Sequence, residues 1–258
     1  MMCILAVCFS ASAPGQQITS DTSSEVQAFQ HAAWLSYDGK HDDTRTEFAK
    51  YKQSHPDDLL STVRLSYDYL FDTRSKMSRA EYHDLLHKVN DAIALFELKK
   101  CAGTDLAGIA GNTLDCDYLG AALYSFRMAL QMKNEKFYWG IMHLTALQAD
   151  DDHFFLYARR SDNAGILQSR FLLGVHEYEL SQSGIGSHTR DPHDRADALA
   201  LIRASLLGTS PFADDQWFFV LDFENKNPND VPACFKDYPR DAVIARLHSE
   251  YPDNGMTK

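Results

Sequence analysis

VQAFQHAAWLSYDGKHDDTRTEFAKYKQSHP, residues 26–56, decides the fold. Val26, Phe29, Ala33 and Tyr37 recur three to four residues apart, with Ala32 and Trp34 beside them, which is the pattern of one apolar stripe on a helix. Asp38-Gly39 interrupts that pattern. Phe48 and Tyr51, with Lys52, then mark the apolar edge of a second helix, and His55-Pro56 stops it because proline cannot donate the next helical hydrogen bond. Two short amphipathic helices hinged at a glycine cannot bury their apolar faces alone. The stretch therefore predicts a chain of stacked helix pairs.

Outward from this pair the rhythm continues. Asp57-Asp58 predicts the cap of a third helix whose stripe is Leu59, Val63, Tyr67, Leu70 and Phe71. Ser78, with Glu81 three residues on, is a capping box for a fourth helix that turns Tyr82, Leu85, Leu86, Val89, Ile93 and Phe96 toward the core. A Gly-rich connector between Cys101 and Cys116 leads to a further pair at 118–132 and 135–147, where Gly120, Ala121, Ala122 and Ala129 permit close helix approach. Asp150-Asp151-Asp152 reads as an acidic break, either a linker or a helix start where carboxylates suit the macrodipole. Helices are then expected at 163–180, at 194–207 with Gly208 as a left-handed cap, at 212–223 and at 239–251. Period-2 alternation is nowhere sustained. The expectation is all-α, with about eleven helices stacked as antiparallel pairs. They form one domain over residues 25–252, and the loop 181–192 is the best candidate for a hinge.

Composition narrows the class. A hydrophobic fraction of 45% over 258 residues suffices for a packed core. A net charge of −11 argues against nucleic acid and anionic membranes as partners. Residues 1–13, MMCILAVCFSASA, hold an apolar run followed by alternating small residues, as in a cleaved signal peptide, with 14–24 as a flexible lead-in. No Lys or Arg precedes the run, which a start codon lying upstream would explain; a plain disordered terminus or a lipid anchor on Cys8 are the alternatives. The expected location is the periplasm or the cell exterior, without stable membrane insertion, because no segment approaches the length of apolar chain needed to span a bilayer. Cys101 and Cys116 either close a small loop or stay two buried thiols; no Cys/His spacing suits zinc.

With these residues in place, 26–56 resembles the tetratricopeptide-repeat family, whose unit is a 34-residue helix–turn–helix. Gly39 stands at the inter-helix glycine, Phe48 at the aromatic of the second helix and Pro56 at the terminal proline. Thr44 and Tyr51 stand where the family has small residues, and Ala28, His31 and Ala32 replace its tryptophan and leucine-glycine pattern. Later segments keep the helix-pair rhythm without the motif. The resemblance implies a degenerate TPR-like α-solenoid of the exported bacterial type, with a concave protein-binding surface, no catalysis and no ligand residues to transfer.

Few residues imitate chemistry. His83-Asp84-Leu85-Leu86-His87 places two histidines at i, i+4 with a carboxylate after the first, as in zinc proteases. The acid is one methylene short, no third ligand follows at a matching spacing, and both histidines lie roughly 100–140° from the core stripe at 100° per residue. His188, Asp191, His193 and Asp194 form a polar loop or a weak divalent-metal site, and His176-Glu177 suits a core edge. Nucleophile-elbow and phosphate-loop patterns are absent. The triplets Phe137-Tyr138-Trp139 and Trp217-Phe218-Phe219 span too wide an arc for one core, so a second helix layer or a binding groove must take the remaining rings. Tyr138, Trp139 and Trp217 are the candidate groove residues. The expected function is a non-enzymatic protein- or peptide-binding scaffold without cofactor or metal. The alternatives are an exported binding protein for a small or glycan ligand with an aromatic-lined cavity and, more distantly, a metal-dependent hydrolase using His83 and His87.

Overall fold

The computed structural model describes residues 24–72, 77–134, 141–183, 192–206, 211–226 and 240–255, and those residues form eleven helices and no strand. In chain order they are α1 (Ser24–Tyr37), α2 (His41–Ser54), α3 (Leu60–Phe71), α4 (Arg79–Lys99), α5 (Leu106–Ala110) and α6 (Cys116–Asn134). Then follow α7 (Ile141–Asn163), α8 (Leu167–Ser183), α9 (Pro192–Ser205), α10 (Asp214–Lys226) and α11 (Arg240–Glu250).

The first hairpin forms as its sequence dictates. Gly39 takes φ +78°, a left-handed value that an L side chain resists, and Lys40 N donates to Leu35 O at 2.9 Å to close the end of α1. Phe29 and Phe48, both buried, meet edge-on with centroids 5.3 Å apart, and Phe29 meets Tyr51 at 5.1 Å. Pro56 stands exposed just beyond α2. The Asp58 carboxylate accepts the Ser61 amide at 2.7 Å at the start of α3. At α4 the capping box is complete: Ser78 Oγ accepts from Glu81 N at 3.2 Å, and Glu81 Oε2 accepts from Ser78 N at 2.8 Å.

Neighbours in sequence pack as neighbours in space: α1 on α2, α2 on α3, α3 on α4, α4 on α6, α6 on α7, α7 on α8 and α8 on α9. A second set of contacts skips ahead, α1 to α3, α3 to α6 and α6 to α8, so these four helices stand in a row. One core runs between them and the helices α4 and α7 beside them, including Phe29, Val63, Leu85, Phe96, Leu119 and Phe154. Gly120 lets α6 approach α4 closely, since a Cβ there would lie 2.5 Å from the Phe96 ring.

Three expectations change. The acidic run does not break a helix: α7 continues through it, because Asp150 takes Arg127 Nε at 2.8 Å and Asp151 meets His176 Nε2 at 2.5 Å, so side chains of α6 and α8 occupy two of the three carboxylates. The helix expected at 163–180 forms as α8 but starts later: α7 runs to Asn163, Gly165 turns the chain at φ +92° and α8 starts at Leu167. The 101–116 connector holds the one-turn α5, capped by Asp105 accepting the Gly108 amide at 2.9 Å, and a Cys101–Cys116 disulfide with Cα atoms 5.7 Å apart. The signal-like residues 1–13, most of the lead-in, Tyr138, Trp139, residues 184–191 of the hinge loop and Gly208 lie outside the described residues.

The C-terminal helices return to the first hairpin. Phe218, Leu221, Leu247 and Tyr251 cluster with Tyr37, Asn254 Nδ2 donates to Tyr37 O at 2.6 Å, and Asp253 N donates to Asp38 Oδ1 at 3.1 Å.

Candidate functional site

Helix α3 stands inside the row, with α1, α2, α4 and α6 around it, so even its polar side chains are enclosed: Ser61, Thr62, Arg64, Ser66 and Asp68 are all buried. Arg64, 2% exposed, has no route to water and must find its counter-charge in the protein. It finds Asp215 of α10, whose Oδ2 accepts from Arg64 Nη1 at 2.5 Å while its Oδ1 accepts from Tyr37 Oη at 2.9 Å. The guanidinium lies 5.1, 5.3 and 4.7 Å from the ring centroids of Tyr37, Tyr67 and Phe212. Tyr118 of α6 hydrogen-bonds Tyr67 and feels the Asp215 charge. Farther along, Gln216 Nε2 donates to Gln168 Oε1 of α8 at 3.2 Å, and Phe219 meets Phe171 of α8 edge-on at 5.4 Å. Helix α10 thus lies across the row, touching α1, α3 and α8.

The electrostatics follow from burial. Desolvation pushes the Asp215 carboxyl above the usual carboxylate range, although Arg64 and Tyr37 pull it back. Desolvation works against the Arg64 charge, but Asp215 outweighs it and the guanidinium is held charged. Burial likewise raises the Tyr37 and Tyr67 phenols well above their ordinary value. Among the described residues Arg64 Nε has no hydrogen-bond partner. Breaking such a pair by removing one member costs about 3–5 kcal/mol, because the other charge stays buried.

A second polar network ties the first hairpin to α3. Asp68 Oδ1 lies 2.7 Å from His41 Nδ1 and accepts from Ser36 Oγ at 2.8 Å; Arg45 reaches Asp68 at 3.1 Å and Asp72 at 2.8 Å. Serine and histidine share one carboxylate oxygen, so the imidazole does not stand between Ser36 and Asp68 as a general base would. The network positions helices. Arg45 of this network also lines a cavity of about 430 Å³ that opens between α2, α3 and α4, with Phe48, Leu65, Tyr69 and Leu95 as apolar walls and Lys52 and Lys88 among its cations. Burial lowers the pKa of Lys52, whose ammonium donates to the Asp58 carbonyl.

Of the residues singled out from sequence, Trp217 is half-buried and packs against both small C-terminal clusters. Gly39, Phe48 and Pro56 hold the first hairpin. His83 and His87 are exposed on α4, with His87 Nδ1 2.9 Å from Asp91 Oδ2. His176 rests against the Phe154 and Phe155 rings at the core edge. Among the described residues no three His, Cys, Asp or Glu side chains converge as metal ligands would. No described helix is long and apolar enough to cross a membrane. The Arg64–Asp215–Tyr37 centre was not singled out from sequence. No family model matches the chain, and neither a curated protein nor a solved structure does.

Proposed function

We propose that the chain is a non-enzymatic scaffold of TPR-like stacked helix pairs that binds a protein or peptide partner along the row α1, α3, α6 and α8. The observation that carries this reading is α10 itself: a helix lies across the row with its carboxylate seated between Arg64 and Tyr37. The contact order supports it, since stacked pairs bring the first helix of each pair against the first of the next. Export to the periplasm or cell exterior belongs to the same reading, and the Cys101–Cys116 disulfide supports it because such bonds persist in oxidising compartments. The test is affinity capture from the native envelope with wild type and with Arg64→Met. A specific polypeptide held by wild type and lost on the substitution supports the scaffold. Recovery undiminished by Arg64→Met would sink the groove.

A second reading, a binding protein for a small or glycan ligand, has one observation in its favour. The α2–α3–α4 cavity has the size of a small-ligand site, with apolar walls and a few polar groups. Native mass spectrometry of the purified protein checks it: a stoichiometric small molecule lost on Tyr69→Ala supports the cavity.

A further inference from the structure

We propose that the α2–α3–α4 cavity takes an amphipathic carboxylate, a small molecule with an apolar body and an anionic head, and that Lys52 receives the head. This rests on the small-ligand reading of the cavity and adds the chemical class of its occupant. The cavity runs along α2, where Arg45, Phe48, Ala49, Lys52 and Gln53 line it at the spacing of one helix face. Lys52 stands two turns beyond Arg45, so the two cations lie about 10 Å apart along the helix axis. Between them the walls are apolar. Leu65, Tyr69 and Leu95 line the cavity and stay half-buried, which leaves apolar surface for a ligand to cover.

Charge selects the head. In a chain of net charge −11, the lining sets Arg45, Lys52 and Lys88 against a single carboxylate, Asp91. Arg45 is already held by Asp68 and Asp72 and stacked 3.9 Å over Tyr69, and Lys88 pairs with Asp84 at 2.7 Å. Asp91 lies 2.9 Å from His87. Lys52 differs. Among the described residues it forms no ion pair, and its ammonium donates to the Asp58 carbonyl alone. The two acids nearest to it in sequence are engaged elsewhere: Asp57 pairs with Lys99 at 2.8 Å, and the Asp58 carboxylate accepts the Ser61 amide. An ammonium carries three donors, so two stay open. Burial lowers the Lys52 pKa although the charges of Asp58 and Asp57 act the other way, so its desolvation is not fully offset by the protein. A carboxylate seated against it would supply charge-assisted hydrogen bonds. A neutral ligand would cover the ammonium without pairing it, and a cationic one would add repulsion.

Isothermal titration of the full-length chain with octanoate, octan-1-ol and octylamine tests the class, because one apolar chain then carries an anionic, a neutral and a cationic head. Octanoate should bind at least ~10-fold more tightly than octan-1-ol, a difference of about 1.4 kcal/mol, and octylamine more weakly than either. Lys52→Met keeps the bulk of the stem without the charge and should bring octanoate down to the affinity of octan-1-ol. Lys52→Arg should keep the preference. Ala49→Trp, at an exposed position on the cavity wall, should fill the space and abolish binding of both. Circular dichroism verifies that each variant stays folded. The proposal is overturned if wild type binds octan-1-ol as tightly as octanoate, if it binds neither, or if folded Lys52→Met keeps the preference. Equal binding of acid and alcohol that is lost in Ala49→Trp would leave the cavity standing as a small-ligand site without anionic selection. Binding undiminished by Ala49→Trp would overturn the site and its class together.

Discussion

Removing the Phe48 ring is expected to cost about 3–5 kcal/mol in denaturant unfolding, because the ring is buried and its loss strips the edge-on contact from Phe29. Glu97 gives a pH signature instead. Burial acts to raise its pKa, yet hydrogen bonds from Tyr157, Lys100 and Tyr124 hold it below the usual glutamate range. A depressed carboxylate stabilises above its unfolded pKa and loses that contribution as the pH falls through its folded one. Thermal melts of wild type and Glu97→Gln should therefore differ near neutrality by no more than about 1 kcal/mol after solvent screening, and converge below about pH 4. Phe48 and Gly39 were legible from the chain, since their roles are set within one hairpin. Arg64 was not. A lone Arg beside Val63 and Leu65 reads as solvent-facing, because the helices that enclose α3 on every side are not visible in its own periodicity, and its counter-charge lies 151 residues away.

At the scale of elements, helix starts governed by local rules were readable and internal charge runs were not. Ser78 and Glu81 satisfy each other within four residues, so the cap of α4 follows from the sequence. Ser78→Ala should lower stability by about 1 kcal/mol in chemical denaturation, and Ser78→Asp should restore most of it, since aspartate caps equally well. Asp150-Asp151-Asp152 fails as a local signal because its outcome depends on Arg127 of α6 and His176 of α8. The break expected there falls instead at Gly165, where a positive φ turns the chain between α7 and α8.

For the whole molecule, the all-helical rhythm and the approximate helix number were legible because a period of 3.6 residues persists in nearly every segment. The return of α10 and α11 to the first hairpin was not, since no local pattern encodes a contact made by Asn254 with Tyr37. The disulfide lies between these cases: spacing permitted it, and the turn that brings the two Cα atoms to 5.7 Å settles it. It closes a loop of 15 residues, so reduction under non-denaturing conditions should lower unfolding free energy by about 3 kcal/mol by loop entropy. A Cys101→Ser/Cys116→Ser double variant should melt at the temperature of the reduced wild type. A melting point unchanged by reductant would show that the bond contributes no net stability.

The pairing of Arg64 with Asp215 also sets a clock on biosynthesis. Polypeptides emerge N-terminus first, and 151 residues separate the two partners. At ribosomal rates of about 5–20 residues per second, roughly 8–30 s pass between their appearances. For that interval α1 to α3 can assemble as a nascent hairpin with a bare guanidinium on its surface, open to whatever acidic segment reaches it first.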